Sequence, residues 1–310
     1  MLRKIRLTLA VIIFTMTTLL FLDFTGVTHC WLGWIAKMQF LPALLAVNVG
    51  VVSVLLVLTL LFGRVYCSVI CPLGVFQDAV SWISGKRKKN RFRYSPALRW
   101  LRYGVLTVFV IALVAGWNTF VILLAPYSAY GRMASSLLAP FWQWGNNLMA
   151  YFAERAESYA FYEVDVWMKS LSTLIIAIIT LVVLFILAWR NGRTYCNTIC
   201  PVGTILGFIS RYSIFKPVID TSKCNGCGLC ARNCKASCIN TKAHEIDYSR
   251  CVACMDCLGK CKQGAIRYTR RIPKKESATT ETVQVKSVTA EQVNNARRSF
   301  LSASAVVATT

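Results

Sequence analysis

Apolar and polar positions come in blocks up to about residue 190. Four apolar blocks, at about 7–22, 41–62, 103–125 and 171–189, each approach the ~20 residues that a helix needs to cross a bilayer. They predict four membrane-spanning helices. The first block follows "MLRKIR", as a signal peptide would. The sequence after it, "DFTGVTHCW", offers no small-residue cleavage site, so it reads as a helix that is kept.

The polar segments between the blocks differ in charge. The N-terminus holds Arg3, Lys4 and Arg6, and the stretch "GKRKKNRFRYSPALRWLR" holds eight Lys or Arg, with no acid from Ala79 to Val110. Segment 23–40 has one acid and one Lys, and segment 126–170 has four acids against three basic residues. Basic loops stay on the cytoplasmic side, so the N-terminus and everything after the fourth span are expected there. Segment 126–170 is also rich in Trp, Tyr and Phe, and reads as an amphipathic helix lying on the outer face.

Composition agrees with this layout. The 310 residues are 56% hydrophobic, yet the net charge is +22. A chain so apolar belongs with membrane proteins, and its charge must then be segregated from the apolar blocks. The basic run reads as a topology signal beside anionic lipid, and nucleic acid is not an expected partner.

The 14 cysteines change the picture more. "CNGCGLCARNC" places Cys224, Cys227, Cys230 and Cys234, and "CVACMDCLGKC" places Cys251, Cys254, Cys257 and Cys261. Each run is C-x2-C-x2-C-x3-C, the spacing by which three thiolates wrap one cubane and the fourth ligates the other. One [4Fe-4S] cluster is therefore assigned to Cys224, Cys227, Cys230 and Cys261. A second is assigned to Cys251, Cys254, Cys257 and Cys234. Structural zinc favours C-x2-C pairs set farther apart, and cytoplasmic thiols stay reduced and available as ligands. Lys235 and Lys262 follow the fourth cysteines where bacterial ferredoxins carry Pro. A nearby ammonium favours the reduced, more negative cluster, so raised potentials are expected. Cys238 is read as a small packed residue.

Two further cysteine pairs follow apolar blocks. "GRVYCSVICPLG" (63–74) and "GRTYCNTICPVG" (192–203) match at eight of twelve positions. Apolar residues at 73, 76, 80 and 83, and at 202, 205, 206 and 209, predict a short amphipathic helix after each. Pro72 and Pro201 suit the first helical position. Cys71 and Cys200 would then be N-caps, where the helix dipole favours thiolate, with Arg64 and Arg193 adding positive charge. Cys67, Cys71, Cys196 and Cys200 read as one shared metal or Fe–S centre, as two dithiols, or as small buried residues.

Four spans, two "GRxYCxxICPxG" motifs and a trailing dicluster ferredoxin resemble the NapH family, within a wider group of membrane polyferredoxins that includes NosR and CcoG. The resemblance covers about residues 1–270. It implies a quinol dehydrogenase component of an anaerobic respiratory chain, passing electrons between menaquinol or ubiquinol and an Fe–S or cytochrome partner. It also implies a bacterial inner-membrane location. A CcoG-like reductase or maturation factor, and a redox sensor or scaffold, are the competing readings. The Lys after each fourth cysteine is a departure. No haem is expected, because the two histidines are His29 and His244 and there is no C-x-x-C-H. Asp23, His29 and Trp31 are candidate quinone contacts, against the reading of a simple polar loop.

The expected organisation is a membrane domain at 1–215, an α+β ferredoxin domain at 216–270 and a flexible linker at 271–295. At 296–310, "ARRSFLSASAVVATT" resembles the start of a twin-arginine signal or fifth span. The chain is expected to continue past Thr310 into an exported Fe–S domain.

Overall fold

The computed structural model describes residues 2–23, 26–87, 92–155, 162–166 and 170–270. Residues 1–271 form one compact unit; the expected linker and tail lie outside the described residues. The helices are α1 (Leu2–Leu22), α2 (Val27–Lys37), α3 (Phe40–Leu45), α4 (Val49–Phe62), α5 (Val65–Val69), α6 (Pro72–Arg87), α7 (Arg99–Val114), α8 (Asn118–Leu124), α9 (Pro126–Met133), α10 (Ala139–Arg155), α11 (Leu171–Asn191), α12 (Thr194–Thr198), α13 (Pro201–Ile209) and α14 (Leu229–Arg232). The strands are β1 (Phe215–Ile219), β2 (Ile239–Asn240), β3 (Glu245–Ile246) and β4 (Ile266–Arg270).

The first and fourth predicted spans are the unbroken helices α1 and α11. Each has 21 residues and is apolar and long enough to cross a membrane. The second and third predicted spans are interrupted. α3 ends where Val47 turns left-handed (φ 52°). The Asn48 N–H then reaches back to Ala43 O at 2.9 Å and the Val47 N–H to Leu44 O at 3.1 Å. α7 ends the same way at Gly116 (φ 75°), with the Trp117 N–H on Ala112 O at 2.9 Å and the Gly116 N–H on Leu113 O at 3.3 Å. Both are Schellman stops, in which a left-handed residue returns the chain to the orphan carbonyls. The Asn48 side chain caps α4 by accepting from the Val51 N–H at 3.2 Å. Apolar patterning alone hides such stops, because the residues around them stay apolar. The 14 residues of α4 rise about 21 Å at ~1.5 Å per residue, short of a ~30 Å hydrocarbon core.

The helices after the two repeated motifs form as expected from Pro72 and Pro201, but α6 buries a different face. Leu73 and Val80 are buried, and so are Gln77, Asp78, Ser81 and Ser84, while Ile83 is exposed. Apolar side chains also cover much of the outside of α1, α7 and α11. Where the surroundings are apolar, polar groups gain by turning inward. The aromatic segment becomes α9 and α10, joined by a π turn at Ala134–Leu138. Phe141, Trp142, Trp144, Tyr151 and Phe152 remain exposed.

The cysteine-rich unit opens and closes on one antiparallel pair. β1 pairs with β4 in the register Phe215↔Arg270 to Ile219↔Ile266, and β2 pairs with β3 inside it. The unit sits on the end of α4. The Ile214 N–H donates to Leu60 O at 2.8 Å, the Tyr268 hydroxyl donates to Phe62 O at 2.9 Å, and Phe215 stacks on Phe62.

Val47 holds a conformation that costs a β-branched residue about 1–2 kcal/mol. Val47→Gly is expected to raise stability by up to about 1 kcal/mol, after the glycine's greater unfolded-state freedom is offset. Thermal unfolding in detergent checks this. An unchanged or lowered melting temperature would mean that the Val47 side chain, not the backbone, governs the turn.

Candidate metal centres

The two repeated motifs fold alike and face each other. In each, the second cysteine starts a helix whose first residue is proline. Cys200 is the N-cap of α13, its sulfur accepting from the Gly203 N–H at 3.4 Å. Cys71 receives the Gly74 N–H in the same way. The closing glycines are needed for close approach. A Cβ at Gly74 would lie 2.1 Å from Cys67 O, and one at Gly203 would lie 2.2 Å from Cys196 O.

The arginines are exchanged between motifs. Arg64 Nη1 donates to Gly203 O at 2.7 Å and its Nη2 to the Asn197 side chain. Arg193 Nη1 donates to Cys67 O at 2.6 Å. Both arginines are wholly buried. The four thiols they bracket are buried as well. They interact electrostatically: Cys67 and Cys71 each sense Cys196, and Cys200 senses the other three. The expected drift towards thiolate is corrected here. Burial pushes the Cys67, Cys71 and Cys200 thiols up, and it outweighs both the cap N–H groups and the arginines. Among the described residues no three His, Cys, Asp or Glu side chains converge tightly enough for a single metal ion. A cubane spreads its thiolates over four irons and asks for a wider set.

Asp78, one turn beyond Gly74, joins the motifs to the rest. Its carboxylate accepts from Arg193 Nε at 2.8 Å, binds Arg193 Nη2 at 2.7 Å and pairs with Arg6 of α1. Lys235 Nζ lies 3.7 Å away. Burial would raise this acid, but Arg193, Lys235 and Arg6 together hold it well below the usual carboxylate range. Lys235 also pairs with Asp256 at 3.1 Å, and Asp256 accepts from Arg3 Nε at 2.8 Å. The ammonium after Cys234 thus lies between two carboxylates that Arg3, Arg6 and Arg193 also share, and Lys262 stands exposed.

In the cysteine-rich unit, Cys234, Cys251, Cys254 and Cys257 line one cavity, with Cys238 beside them. Cys230 senses Cys224 and Cys227. Cys230 lies on α14, which packs against the 3-10 turn Leu258–Lys260 that leads into Cys261. The loops of the two runs bend alike. Gly226 and Gly228 have φ 69° and 72°, and the equivalent Ala253 and Met255 have φ 49° and 60°. Alternation of this kind turns backbone N–H groups inward into an anion-binding nest, as Fe–S sites use. Ala253 and Met255 adopt it without glycine's freedom, which is backbone strain retained at a site. The residues present thus fit cubane ligation.

Sequence reasoning overlooked Asp78, Asn197, Arg102 and Arg250. Arg102 donates to Ser249 O at 2.9 Å, and Arg250 Nη2 donates to Ser95 O at 2.6 Å. The one available signal was position: Asp78 is the last acid before a long basic run. The candidate quinone contacts lie elsewhere. Asp23 accepts from the Gly26 and His29 N–H groups at 3.0 and 2.7 Å at the start of α2, and Trp31 is exposed.

Asp78→Asn leaves two buried arginines and the half-buried Lys235 without their shared carboxylate. The expected loss is about 3–5 kcal/mol, from the general cost of breaking a buried ion pair. Because the folded-state value of Asp78 is depressed, its contribution is full above the ordinary carboxylate value of about 4 and fades only as pH falls below it. Thermal melts from pH 8 to pH 3 should show a constant gap between wild type and variant that narrows only at the acid end. A gap that closes near neutrality would contradict this role.

Comparison with known proteins adds relatives. A model described as a "4Fe-4S binding domain" matches residues 44–90 and again 172–220, one copy over each motif. A second model with the same description matches residues 217–240. "Ferredoxin-type protein NapH" of Haemophilus influenzae is 25% identical over 187 residues, 60% of this chain and 52% of that one. "Methylamine utilization ferredoxin-type protein MauN" of Paracoccus denitrificans is 23% identical over 189 residues, 60% of this chain and 53% of that one. "Putative electron transport protein YccM" of Escherichia coli is 25% identical over 201 residues, 63% of this chain and 47% of that one. The chain spans about half the length of these curated relatives. No solved structure matches. With both motif repeats and the first cysteine run matched as 4Fe-4S binding domains, the chain is similar to the ferredoxin-type proteins NapH and MauN and to YccM over about 60% of its length.

Proposed function

We propose that this chain is a multi-pass inner-membrane subunit that carries electrons between the quinone pool and a redox partner, as the quinol dehydrogenase component of a bacterial respiratory chain. Cys224, Cys227, Cys230 and Cys261 hold one [4Fe-4S] cluster, and Cys234, Cys251, Cys254 and Cys257 hold a second. Cys67, Cys71, Cys196 and Cys200 hold a third Fe–S centre. When bound, such groups accept and release single electrons with little change of shape. Menaquinol or ubiquinol is the diffusible partner.

The observation that carries the third centre is the charge around it. Arg64 is fully buried, and its partners are the carbonyls of Gly203, Arg250 and Cys251 and the Asn197 amide, none of them a carboxylate. A buried cation without a counter-charge is costly. An anionic group bound by the four neighbouring thiols supplies one. Arg64 also bridges the two regions, since its Nε donates to Cys251 O at 3.3 Å. On the other motif, the Arg193 N–H donates to Lys235 O at 2.9 Å. These bonds tie the arginine of each motif to the backbone of the Cys234/Cys251 region. Cys227 is exposed, which gives the remaining group access to a soluble partner.

The orientation rests on α1. Arg3 and Arg6 at its start bond Asp256 and Asp78, so the basic N-terminus and the cysteine-rich unit share one side. By the basic-loop rule that side is cytoplasmic, where thiols stay reduced. The apolar outside of α1 and α11 meets lipid.

Anaerobic purification of the full chain with iron and sulfide counting tests this. Three cubanes give about twelve iron per chain, and Cys67→Ser with Cys196→Ser should reduce the count to about eight. A wild-type count of about eight removes the third centre only. A count near zero removes the cluster reading altogether. Menaquinol should elicit a reduced-cluster EPR signal, and its failure to do so would exclude the quinol role.

A further inference from the structure

Cys238 has no part in the proposed ligand sets, yet it is 1% exposed and lines the same cavity as Cys234, Cys251, Cys254 and Cys257. Its sulfur lies 3.5 Å from that of Cys234, and Cys251 lines the same cavity beside it. Among the described residues its sulfur makes no other side-chain hydrogen bond. A thiol in that position can act as a donor, since the sulfurs beside it are those that lose their protons to iron.

The backbone holds Cys238 there. Ser237 is left-handed (φ 50°) and swings the chain back beneath Cys234, with the Ser237 N–H on Cys234 O at 2.9 Å. Ser237 O is fixed by Arg250 Nη2 at 3.2 Å and by the Ser95 N–H at 3.4 Å. The Asp247 N–H donates to Cys238 O at 2.9 Å and ties it to the second cysteine run. Three separate segments thus fix where this one thiol stands.

We propose that Cys238 is a positioning residue whose S–H is directed at the ligand sulfurs lining its cavity, that of Cys234 first. The donor withdraws negative charge from the ligand sulfurs. It therefore stabilises the reduced, more negative form of the group they hold, raising its midpoint potential. Packing alone does not require a sulfur at this position, because an alanine methyl would fill much of the same space. The inference rests on the assignment of Cys234 and Cys251 to one cluster.

The test uses the full chain, purified anaerobically in detergent, with Cys238→Ala and Cys238→Ser. Iron and sulfide are counted, and each centre is followed by an EPR-monitored redox titration. Both variants should keep the wild-type iron count. Cys238→Ala should lower the potential of one centre and leave the others in place. Cys238→Ser keeps a donor and should stay nearer to wild type. Loss of about four iron in Cys238→Ala would make Cys238 a ligand and overturn the proposal. An unmoved potential, or equal shifts in both variants, would overturn it too by reducing Cys238 to packing. A wild-type chain without any cubane signal overturns the ligand assignment itself, and is told apart from these outcomes by the iron count.

Discussion

One buried carboxylate organises the interior. Asp78 is shared by Arg6, Arg193 and Lys235, which come from the first helix, the second motif and the first cysteine run. A buried ion pair of this kind adds little net stability over an apolar substitute. What it adds is selection, because only one arrangement of three distant segments brings all the cations within reach of the same two oxygens. The crossed arginines and the Lys235–Asp256 pair build outward from that point, so the thiol motifs and the cysteine-rich unit form one interior. The boundary expected near residue 215 marks a change of composition, and buried hydrogen bonds run across it.

Much of this was legible in the sequence. The two long apolar helices, the proline-started helices after each motif and the N-cap cysteines all follow from local rules that the tertiary structure respects. So does the spacing of the two cysteine runs, whose loops repeat one backbone conformation even where Ala253 and Met255 replace glycine. The Schellman stops were not legible, because Val47 gives no compositional warning and Gly116 is a lone glycine in an apolar run. The burial of Gln77, Asp78, Ser81 and Ser84 was missed for a different reason. The periodicity rule assumes water outside, and α6 turns several polar side chains inward. The ion pairs of Lys235 were not legible for a third reason. A charge read from sequence has no partners, and here Asp78 and Asp256 arrive from elsewhere in the chain.

The repeated motif is informative because its two copies are used reciprocally. Each arginine serves the opposite copy, and each closing glycine lies against a cysteine carbonyl of its own. Tyr66 and Tyr195 extend the pattern: the Tyr66 hydroxyl donates to Gln39 Oε1 at 3.0 Å, and the Tyr195 hydroxyl to Leu124 O at 3.0 Å. Each tyrosine thereby ties its motif to a helix outside the repeat. Residue types that look merely repetitive in one dimension are thus accounted for by a pairwise interface between the copies.

The exchange of arginines also imposes an order on synthesis. Arg64 finds its partners 133 residues later at Asn197 and 187 residues later at Cys251. While the ribosome is still making the intervening helices, the first motif exists with its guanidinium unpaired and its thiols uncovered. Its surroundings close only after residue 251 has been made. A cofactor shared by the two motifs can be fully enclosed only once both halves of the chain have been made.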